Sequence, residues 1–592
     1  MKSAPARGSA ILRVTTGFVL CAALICESFA ADALRLSALQ RCGNLLDPNL
    51  REFCIVISGQ QSGSLRLILD GVVIGNQKTK QSAVTFTVNR RDHSSGPFWV
   101  EQGQLRSNAA WLSMQSSATL AAGPDEVAEN QDGITTYVDL VSILIEEAYD
   151  AEVEARRLAS KYGAQLVGAI PPLRIYQIRL PVQDLIHRDA LVLRLNGEES
   201  VDSVIIEESS SEDSSSEDSD PESVVHNGVL TRELSANRFM DAVDYYRRRI
   251  PGPPDALIRP EPIRIGLVER AVDFDAPDFN SLSVPVSRGL RLFARDANGA
   301  GGHGTTVAGV LAAEWDGGGS IGFLRGLDGH HAGIDVIVDR GSDAGITESI
   351  ATSVRMVQDG VRVLNWSWGV HRVGTINVRG RSIDSVVRSG VAFEGYEELI
   401  EEFFKWLRHN HPNIIVINSA GNSDYYSEND DYRLPSSFLT PQLLVVGAHQ
   451  GTVLDVPIDS PDFAEGRRSS NMGDRVDITA AGCVPGSNPD PAPGKMRCGT
   501  SYSTPLVTGV VAAMLTINPS LMPSDIRGLL RRASLPIGED VDFESADTED
   551  LTAPILPSER AEQIEHPDVG RSARLDMRES LTLAVESLSN IE

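Results

Sequence analysis

Residues 499–509 read GTSYSTPLVTG and lead into an apolar run that ends near Leu515. Proline is tolerated in the first turn of a helix, so Pro505 indicates that a helix begins just before it. Ser501 then lies in that first turn, beside backbone N–H groups that have no partner within the helix. Such groups stabilise an oxyanion, which makes Ser501 a candidate nucleophile. A serine that only caps the helix is the alternative.

A second glycine-rich segment surrounds a histidine. Residues 302–313 read GHGTTVAGVLAA and place His303 at the start of another helix, whose core face carries Val307, Val310 and Leu311. Small neighbours allow other backbone to approach the imidazole closely, as a general base requires. A histidine with a purely surface or core role is the alternative.

A third segment supplies an amide. Residues 419–423 read SAGNS and follow a predicted strand at 414–417, which places Asn422 at the strand's carboxyl end. Its side chain would donate to an oxyanion together with the backbone N–H of Ser501. An asparagine turn is the alternative.

The chain around these segments alternates short β-branched runs with helical stretches. Runs typical of a parallel sheet buried on both faces lie at 263–268, 334–338, 361–364, 414–417 and 443–446. The region from residue 263 to about 588 therefore predicts a doubly wound, mostly parallel α/β domain. Catalytic groups in such folds lie at the carboxyl ends of strands and at the helix starts that follow.

The order His303, Asn422, Ser501, each in its own motif, resembles the subtilisin-like (S8) family of serine proteases. NWSWG at 365–369 is similar to that family's substrate-cleft wall, and GDRVDITAAG at 473–482 to its approach to the nucleophile. RLDM, beginning at Arg574, is similar to the motif that closes the domain.

The resemblance implies a secreted serine endopeptidase, a hydrolase in which Ser501 attacks the scissile carbonyl and His303 takes its proton. Asn422 and the Ser501 N–H would form the oxyanion hole. The segments implied to bind substrate contain Ser367, Trp368, Gly369, Ser419, Ala420 and Gly421. Neutral residues near the implied side-chain pocket disfavour a strongly basic preference.

One position departs from the family pattern. Where the family has aspartate followed by Ser or Thr and then Gly, this chain has Glu269, with Ala271 at the glycine position. Glutamate keeps the charge that stabilises the imidazolium but is longer by one methylene, about 1–1.5 Å, and a displacement of about 1 Å can cost roughly a hundredfold in rate. Asp273 and Asp275 are the alternative carboxylates. We expect a working triad of Glu269, His303 and Ser501.

Two other functions compete with the endopeptidase. The first is a catalytically impaired pseudoprotease that acts as a secreted binding or scaffold protein, for which Glu269 is the motive. The second is an esterase, because the same chemistry cleaves esters. Labelling of Ser501 by a fluorophosphonate would separate an active site from an inert one.

The N-terminus has the features of a signal peptide. A basic segment with Arg7 and Arg13 precedes an apolar run at 14–26, and the small residues around Ala30 suit cleavage after it. We expect residues 1–30 to be removed and the protein to be secreted or periplasmic, with no membrane association afterwards. A single-span anchor is the alternative.

Three further regions precede the α/β domain, which we assign to 224–592. Residues 31–125 are β-rich and weakly resemble an immunoglobulin-like β-sandwich of the IPT/TIG kind, which would bind or act as a spacer. Residues 126–206 are predicted to form a strand, a helix, two strands, a helix and a strand, in that order. This small α+β domain resembles the prodomains that, in this family, assist folding and plug the active site. A ferredoxin-like module is the alternative.

Residues 207–223 are predicted to form a disordered linker that is acidic and rich in serine. We expect the precursor to be cleaved within about 200–262.

Four cysteines remain after signal removal: Cys42, Cys54, Cys483 and Cys498. An even number in an exported chain suggests disulfides, and four cysteines allow three pairings. The local pairs Cys42–Cys54 and Cys483–Cys498 are favoured, with free thiols as the alternative. The second pair would brace the loop that leads to Ser501.

Composition limits the partners. The 592 residues are 41% hydrophobic and 23% charged, as in globular proteins, and the formal net charge is -28. Such a chain repels nucleic acid and anionic membranes. The resemblance implies protein or peptide substrates. No cofactor is predicted and no residue is assigned to a metal. Structural calcium is compatible with the acidic composition, but no loop has a ligand pattern that locates it.

Overall fold

The computed structural model describes most of the chain in blocks separated by short gaps. These blocks are residues 34–59, 63–78, 81–209, 232–249, 262–269, 272–273, 276, 278–279, 289–293, 302–315, 320–327, 333–339, 345–377, 380, 387–424, 426–427, 433–473, 475–486, 496–537 and 573–590. The expected signal peptide and residues 210–223 of the expected linker lie outside them.

The first body is a pair of antiparallel sheets around one apolar core. One sheet has the order β1-β2-β5. In the other, with the order β4-β3-β6-β7, β8 also pairs with β6. Alternate residues of β5 point into the core, as its apolar–polar alternation requires. The strands are β1 (Arg35–Cys42), β2 (Leu50–Ser58), β3 (Leu65–Leu69), β4 (Val72–Gln77), β5 (Ala83–Asn89), β6 (Gly96–Gln102), β7 (Leu105–Arg106) and β8 (Ala110–Leu112). Cys42 and Cys54 form a disulfide between β1 and β2, the local pairing favoured by the sequence.

The middle body has the element order expected from the sequence. It consists of β9 (Val127–Glu129), β10 (Thr135–Ile145), α1 (Ala151–Tyr162), β11 (Gln165–Ile170), β12 (Ile175–Arg179), α2 (Leu185–Asn196) and β13 (Val201–Ser209). The antiparallel sheet has the order β11-β12-β10-β13, with β9 beside β10. Asp150 caps α1 by accepting from the Val153 N–H, and Gly163 ends it with φ 66°.

The expected start of the linker is wrong. Residues 207–209 belong to β13, and both Glu207 and Glu208 are buried. Glu207 accepts hydrogen bonds from the N–H groups of Ile346 (2.7 Å) and Thr347 (3.2 Å), and Glu208 accepts from the N–H of Ser389 (2.9 Å). These N–H groups, distant in sequence, lie at the starts of two helices and donate hydrogen bonds to the two carboxylates. From composition alone, both carboxylates were predicted to be exposed to solvent.

The third body is the predicted α/β domain. Its parallel strands are β14 (Ile263–Leu267), β15 (Leu290–Phe293), β16 (Ile334–Val338), β17 (Val361–Trp366), β20 (Ile415–Ser419), β23 (Leu443–Gly451) and β26 (Ile478–Ala481). Smaller strands are β18 (Val370–Arg372), β19 (Val387–Arg388), β21 (Tyr426–Ser427), β22 (Arg433–Leu434), β24 (Ala464–Gly466), β25 (Met472–Gly473), β27 (Cys483–Pro485), β28 (Met496–Cys498), β29 (Leu535–Pro536) and β30 (Ala573–Arg574). The main sheet has the order β15-β16-β14-β17-β20-β23-β26-β30-β29, which includes all five strands predicted from β-branched runs.

Helices cover both faces of this sheet, as a doubly wound fold requires. They are α3 (Arg232–Ala236), α4 (Phe239–Arg249), α5 (Gly302–Ala312), α6 (Phe323–Leu327), α7 (Gly345–Gln358), α8 (Gly390–Asn410), α9 (Thr500–Ile517), α10 (Pro523–Ala533) and α11 (Met577–Glu586). One core cluster joins α4, α5, α6, α9, α10 and α11 to the sheet, and the other joins α7 and α8 to its opposite face. Of the helices described, α9 alone is long and apolar enough to span a membrane, and it is completely buried as the central core helix.

Both N-terminal bodies pack against α7. Glu207 of β13 binds the start of that helix, where a Cβ on Gly345 (φ +83°) would collide with its carboxylate. At the other end, Asp359 accepts from Trp111 Nε1 (2.9 Å) and Gln115 Nε2 (2.8 Å) of the first body. The helix therefore joins all three bodies.

Candidate active site

A carboxylate and an imidazole meet just beyond the carboxyl end of β14. Glu269 follows that strand, and His303 is the second residue of α5. Oε2 of Glu269 lies 3.1 Å from Nδ1 of His303, and the two side chains are 6% and 25% exposed. An ionised carboxylate only accepts hydrogen bonds, so Nδ1 carries the hydrogen of the neutral ring. Nε2 is then the nitrogen that can take a proton from a nucleophile.

The alternative carboxylate that the structure describes, Asp273, is placed by a contact of its own backbone with the helix that carries His303. The backbone N–H of Asp273 donates to Thr305 Oγ1 at 2.9 Å, and burial raises the pKa of the Asp273 side chain. Asp275 and Ala271 lie outside the described residues. The carboxylate placed against His303 is that of Glu269.

Ser501 occupies the first turn of α9, as the position of Pro505 predicts. It is buried, and its Oγ lies 3.4 Å from the carbonyl oxygen of Ser367, to which it can donate. The next residue, Tyr502, has its ring centroid 5.6 Å from that of His303. The start of α9 and the start of α5, where the predicted nucleophile and base lie, are therefore near each other.

The Asn422 amide is held by its oxygen. Its Oδ1 accepts from the N–H of Thr500 (2.8 Å), and Oγ1 of Thr500 accepts in return from the N–H of Gly421 (3.0 Å). The Nδ2 group is buried and has no hydrogen-bond partner among the residues that the structure describes. A Cβ on Gly499 would lie 3.1 Å from Nδ2, so this donor lies beside the chain two residues before Ser501. Buried donors are normally paired, and an unpaired one beside a nucleophile is suited to bind a developing oxyanion.

A series of buried polar side chains holds the backbone of Ser501. Thr508 Oγ1 donates to Asn365 Oδ1 (3.0 Å), and Asn365 Nδ2 donates to Ser367 Oγ (2.9 Å). Ser367 Oγ then donates to the carbonyl oxygen of Ser501 (3.0 Å). This role of Asn365 and Thr508 was not predicted from the sequence. The signal that could have indicated it is the polar residue Thr508 within the otherwise apolar stretch of α9.

The six residues expected to bind substrate form two neighbouring walls. Ser367, Trp368 and Gly369 follow β17, and Ser419, Ala420 and Gly421 lie at the end of the adjacent strand β20. Asn418 Nδ2 joins the walls by donating to the carbonyl oxygens of Trp366 and Trp368, both at 2.8 Å. Parallel strands end at the same edge of the sheet, which explains this convergence.

One residue between these walls was not anticipated from the sequence. The guanidinium of Arg433, in β22, occupies the space where side chains on Gly369 and Gly421 would otherwise lie. Arg433 is 4% exposed, and its Nη1 donates to the carbonyl oxygen of Ser419 at 2.7 Å.

The approach to Ser501 is a disulfide-bonded hairpin. Cys483 and Cys498 pair across β27 and β28, again the favoured local pairing, and the N–H of Gly499 donates to the carbonyl oxygen of Gly482 at 2.8 Å. No group of three or more His, Cys, Asp or Glu side chains suited to a metal ion occurs within the described blocks of the chain. The described residues therefore give no location for the calcium ion considered above.

Comparison with known proteins identifies the segment that carries this site. Residues 292–560 match the Peptidase S8 model, which describes the subtilase family. The matched segment is similar to the subtilase family. It contains His303, Asn422 and Ser501, whereas Glu269 precedes it. The interest in Glu269 therefore comes from its contact with His303 and not from this match.

The chain spans about a quarter of the length of the curated relatives that it matches. One is a probable subtilase-type serine protease of Deinococcus radiodurans, 28% identical over 251 residues, which are 39% of this chain and 28% of that protein. Another is a cell wall-associated protease of Bacillus subtilis, 27% identical over 288 residues, 48% of this chain and 26% of that protein. A structural match is fervidolysin of Fervidobacterium pennivorans, with TM-score 0.47, 17% identity and coverage of 80% of this chain and 65% of that one.

Proposed function

We propose that the chain is a secreted serine endopeptidase that hydrolyses peptide bonds through an acyl-enzyme on Ser501. The contact between Glu269 and His303 carries this proposal, because a carboxylate there would stabilise the charged form of the imidazole, whose ring lies 5.6 Å from that of Tyr502 in the first turn of α9. The similarity of residues 292–560 to the subtilase family supports it.

The proposed reaction uses Ser501 as the nucleophile and His303 as the base. Ser501 Oγ attacks the scissile carbonyl carbon while His303 Nε2 takes the hydroxyl proton, and Glu269 stabilises the imidazolium. The carbonyl oxygen becomes an oxyanion that accepts from Asn422 Nδ2 and the Ser501 N–H. When the C–N bond breaks, His303 returns the proton to the leaving amine and an ester remains on Ser501. Water, deprotonated by His303, hydrolyses that ester and restores the enzyme.

The middle body is proposed as an intramolecular folding aid and inhibitor of a precursor. Its β13 supplies carboxylates to two helix starts of the peptidase domain, Glu207 to α7 and Glu208 to α8. Orphan N–H groups at helix starts are satisfied in this way, so the contact stabilises both helices. Secretion is supported by the signal-like N-terminus, and a relative is named a cell wall-associated protease.

The test compares the full chain with its Ser501→Ala variant. A fluorophosphonate probe should label the wild-type chain after processing and leave the variant unlabelled. Wild-type precursor should also be cut within about residues 200–262, and the variant should keep its full length after the signal is removed.

The same experiment decides on the pseudoprotease. Glu269 in place of aspartate is the observation that favours an inert site. A folded, processed chain with no Ser501-dependent labelling would establish the pseudoprotease and overturn the endopeptidase.

A further inference from the structure

Pro505 removes the donor that a regular α-helix would supply to the carbonyl oxygen of Ser501. In such a helix this oxygen accepts from the backbone N–H four residues later. That residue is Pro505, which has no N–H. The nucleophile therefore lies in a turn of α9 where the regular hydrogen bond from residue 505 cannot form.

Ser367 supplies a replacement from outside the helix. It directly follows β17, and its Oγ donates to the carbonyl oxygen of Ser501 at 3.0 Å. Ser501 Oγ in turn lies 3.4 Å from the carbonyl oxygen of Ser367. Both residues are buried, so these groups are shielded from bulk water. The end of β17 thus contacts both the backbone and the hydroxyl of the nucleophile.

Asn365 directs the hydroxyl of Ser367 toward Ser501. A hydroxyl has one hydrogen to donate and accepts through its oxygen. Ser367 Oγ accepts from Asn365 Nδ2 at 2.9 Å, which leaves its hydrogen for the carbonyl oxygen of Ser501. The backbone of Asn365 is held as well, because its carbonyl oxygen accepts from the N–H of Val268, the residue before Glu269, at 3.3 Å. One strand end therefore contacts the segments that carry the nucleophile and the carboxylate.

Thr508 connects the same strand end to α9 beyond the proline. It lies seven residues after Ser501, almost two helical turns, so the two residues face the same side of the helix. Thr508 Oγ1 donates to Asn365 Oδ1 at 3.0 Å, and with its oxygen bound in this way the amide presents its nitrogen to Ser367. The side chains of Thr508, Asn365 and Ser367 thus form a bracket that joins α9 to β17 on both sides of Pro505.

We propose that Ser367, through this bracket, is a positioning residue for the nucleophile, an inference that rests on the proposed peptidase function. Its hydroxyl replaces the hydrogen bond that Pro505 removes and fixes the peptide group of Ser501 while the Ser501 hydroxyl attacks. Placement matters because a displacement of about 1 Å at the reacting atoms can cost roughly a hundredfold in rate. Substrate binding, the role that the resemblance implies for Ser367, does not require its side chain to face Ser501.

The experiment measures the rate constant for labelling of Ser501 by an alkyl fluorophosphonate, using the full chain after processing. This small probe reports the reactivity of the hydroxyl without a peptide in the cleft. Ser367→Ala should be labelled about 10-fold more slowly than the wild type, the effect of one net hydrogen bond. Thr508→Val should also be slower, whereas Thr508→Ser keeps the hydroxyl and should restore the wild-type rate. Because the bracket acts through Ser367, the double variant Ser367→Ala/Thr508→Val should be no slower than Ser367→Ala alone.

Thr516→Val is the matched control. Thr516 also has a buried hydroxyl in α9, which contacts Tyr246 Oη at 2.6 Å and donates to the carbonyl oxygen of Ala513 at 2.7 Å. Its loss should lower the melting temperature, as Thr508→Val does, and leave the labelling rate of the folded protein unchanged.

The outcomes separate the two proposals. If wild-type protein is not labelled at Ser501, the peptidase function itself fails. If it is labelled and folded Ser367→Ala reacts at the same rate, the positioning role of Ser367 alone is overturned. Equal slowing by Thr516→Val and Thr508→Val would also overturn it, because the effect would then be one of stability. Should Ser367→Ala not fold, equal rates for Thr508→Val and Thr508→Ser would contradict the proposal.

Discussion

Oε2 of Glu269 lies 3.1 Å from Nδ1 of His303, so a side chain one methylene longer than aspartate is accommodated within hydrogen-bonding distance of the imidazole. The other carboxylate oxygen, Oε1, is buried without a hydrogen-bond partner in the described part of the chain. The carboxylate of Glu269 thus contacts the histidine through one oxygen. In this position it would orient the ring and stabilise its charged form.

Replacing Glu269 by glutamine should lower kcat by about 10²- to 10⁴-fold, because the amide keeps the size and loses the charge that stabilises the imidazolium. Glu269→Asp should fall between this variant and the wild type, since the shorter side chain opens the 3.1 Å contact. Steady-state kinetics on a peptide substrate would measure both. Glu394→Gln, on the exposed side of α8, is the control and should keep full activity. Wild-type kcat in Glu269→Gln would contradict the assigned role.

Asn422→Ala should reduce kcat by about 10²- to 10³-fold with little change in KM, because the lost donor acts on the transition state. Asn422 also holds the Thr500 N–H, so the melting temperature must be measured beside the kinetics. Folded protein with an unchanged kcat would remove Asn422 from the oxyanion hole.

The two disulfides offer a matched comparison, since they close segments of 15 and 12 residues. Replacing Cys483 and Cys498 together by serine should destabilise the peptidase domain by about 3 kcal/mol and lower kcat, because the hairpin positions the start of α9. The same change at Cys42 and Cys54 should destabilise the first body without altering kcat. Denaturant unfolding and peptide kinetics on both double variants would test this. Equal kcat values would show that the hairpin does not position Ser501.

Glu233 in α3 should make stability depend on pH. It is buried with Oε2 unpartnered within the described structure, and burial raises its pKa to about 7 from 4.5. Between these pH values the folded state holds a proton that the unfolded chain has lost, so stability falls as pH rises from about 4.5 to 7 and then levels off. The loss is on the order of 3 kcal/mol.

The measurement is melting temperature against pH in a Ser501→Ala background, which prevents self-cleavage. Glu233→Gln should flatten the decline between pH 4.5 and 7, and the exposed Glu465→Gln should not. Parallel curves for the wild type and Glu233→Gln would show that another group causes the decline.

The sequence predicted the elements that obey local rules. Five buried β-branched runs form adjacent parallel strands, and the glycine before His303 and the proline after Ser501 mark two helix starts correctly. The edge strand β15 was not predicted, because its sequence LRLF contains no β-branched residue, the feature that marked the other strands.

What the sequence did not predict depends on contacts between distant residues. Glu207 was assigned to a solvated linker, yet its partner Ile346 lies 139 positions away. Arg433 had no recognisable motif around it, and its place in the cleft follows from pairing between β18 and β22. No local pattern reports such pairings.

The hydrogen bond between Trp111 and Asp359 has a consequence for the processed molecule. The first body precedes the middle body, so a single cut in the segment after Ser209 would sever the covalent connection of both to the peptidase. The first and middle bodies would then form one separate polypeptide, held on the α/β domain by this hydrogen bond together with those of Glu207 and Glu208. Its retention after such a cut would depend on non-covalent contacts alone, and so on the dilution of the two fragments.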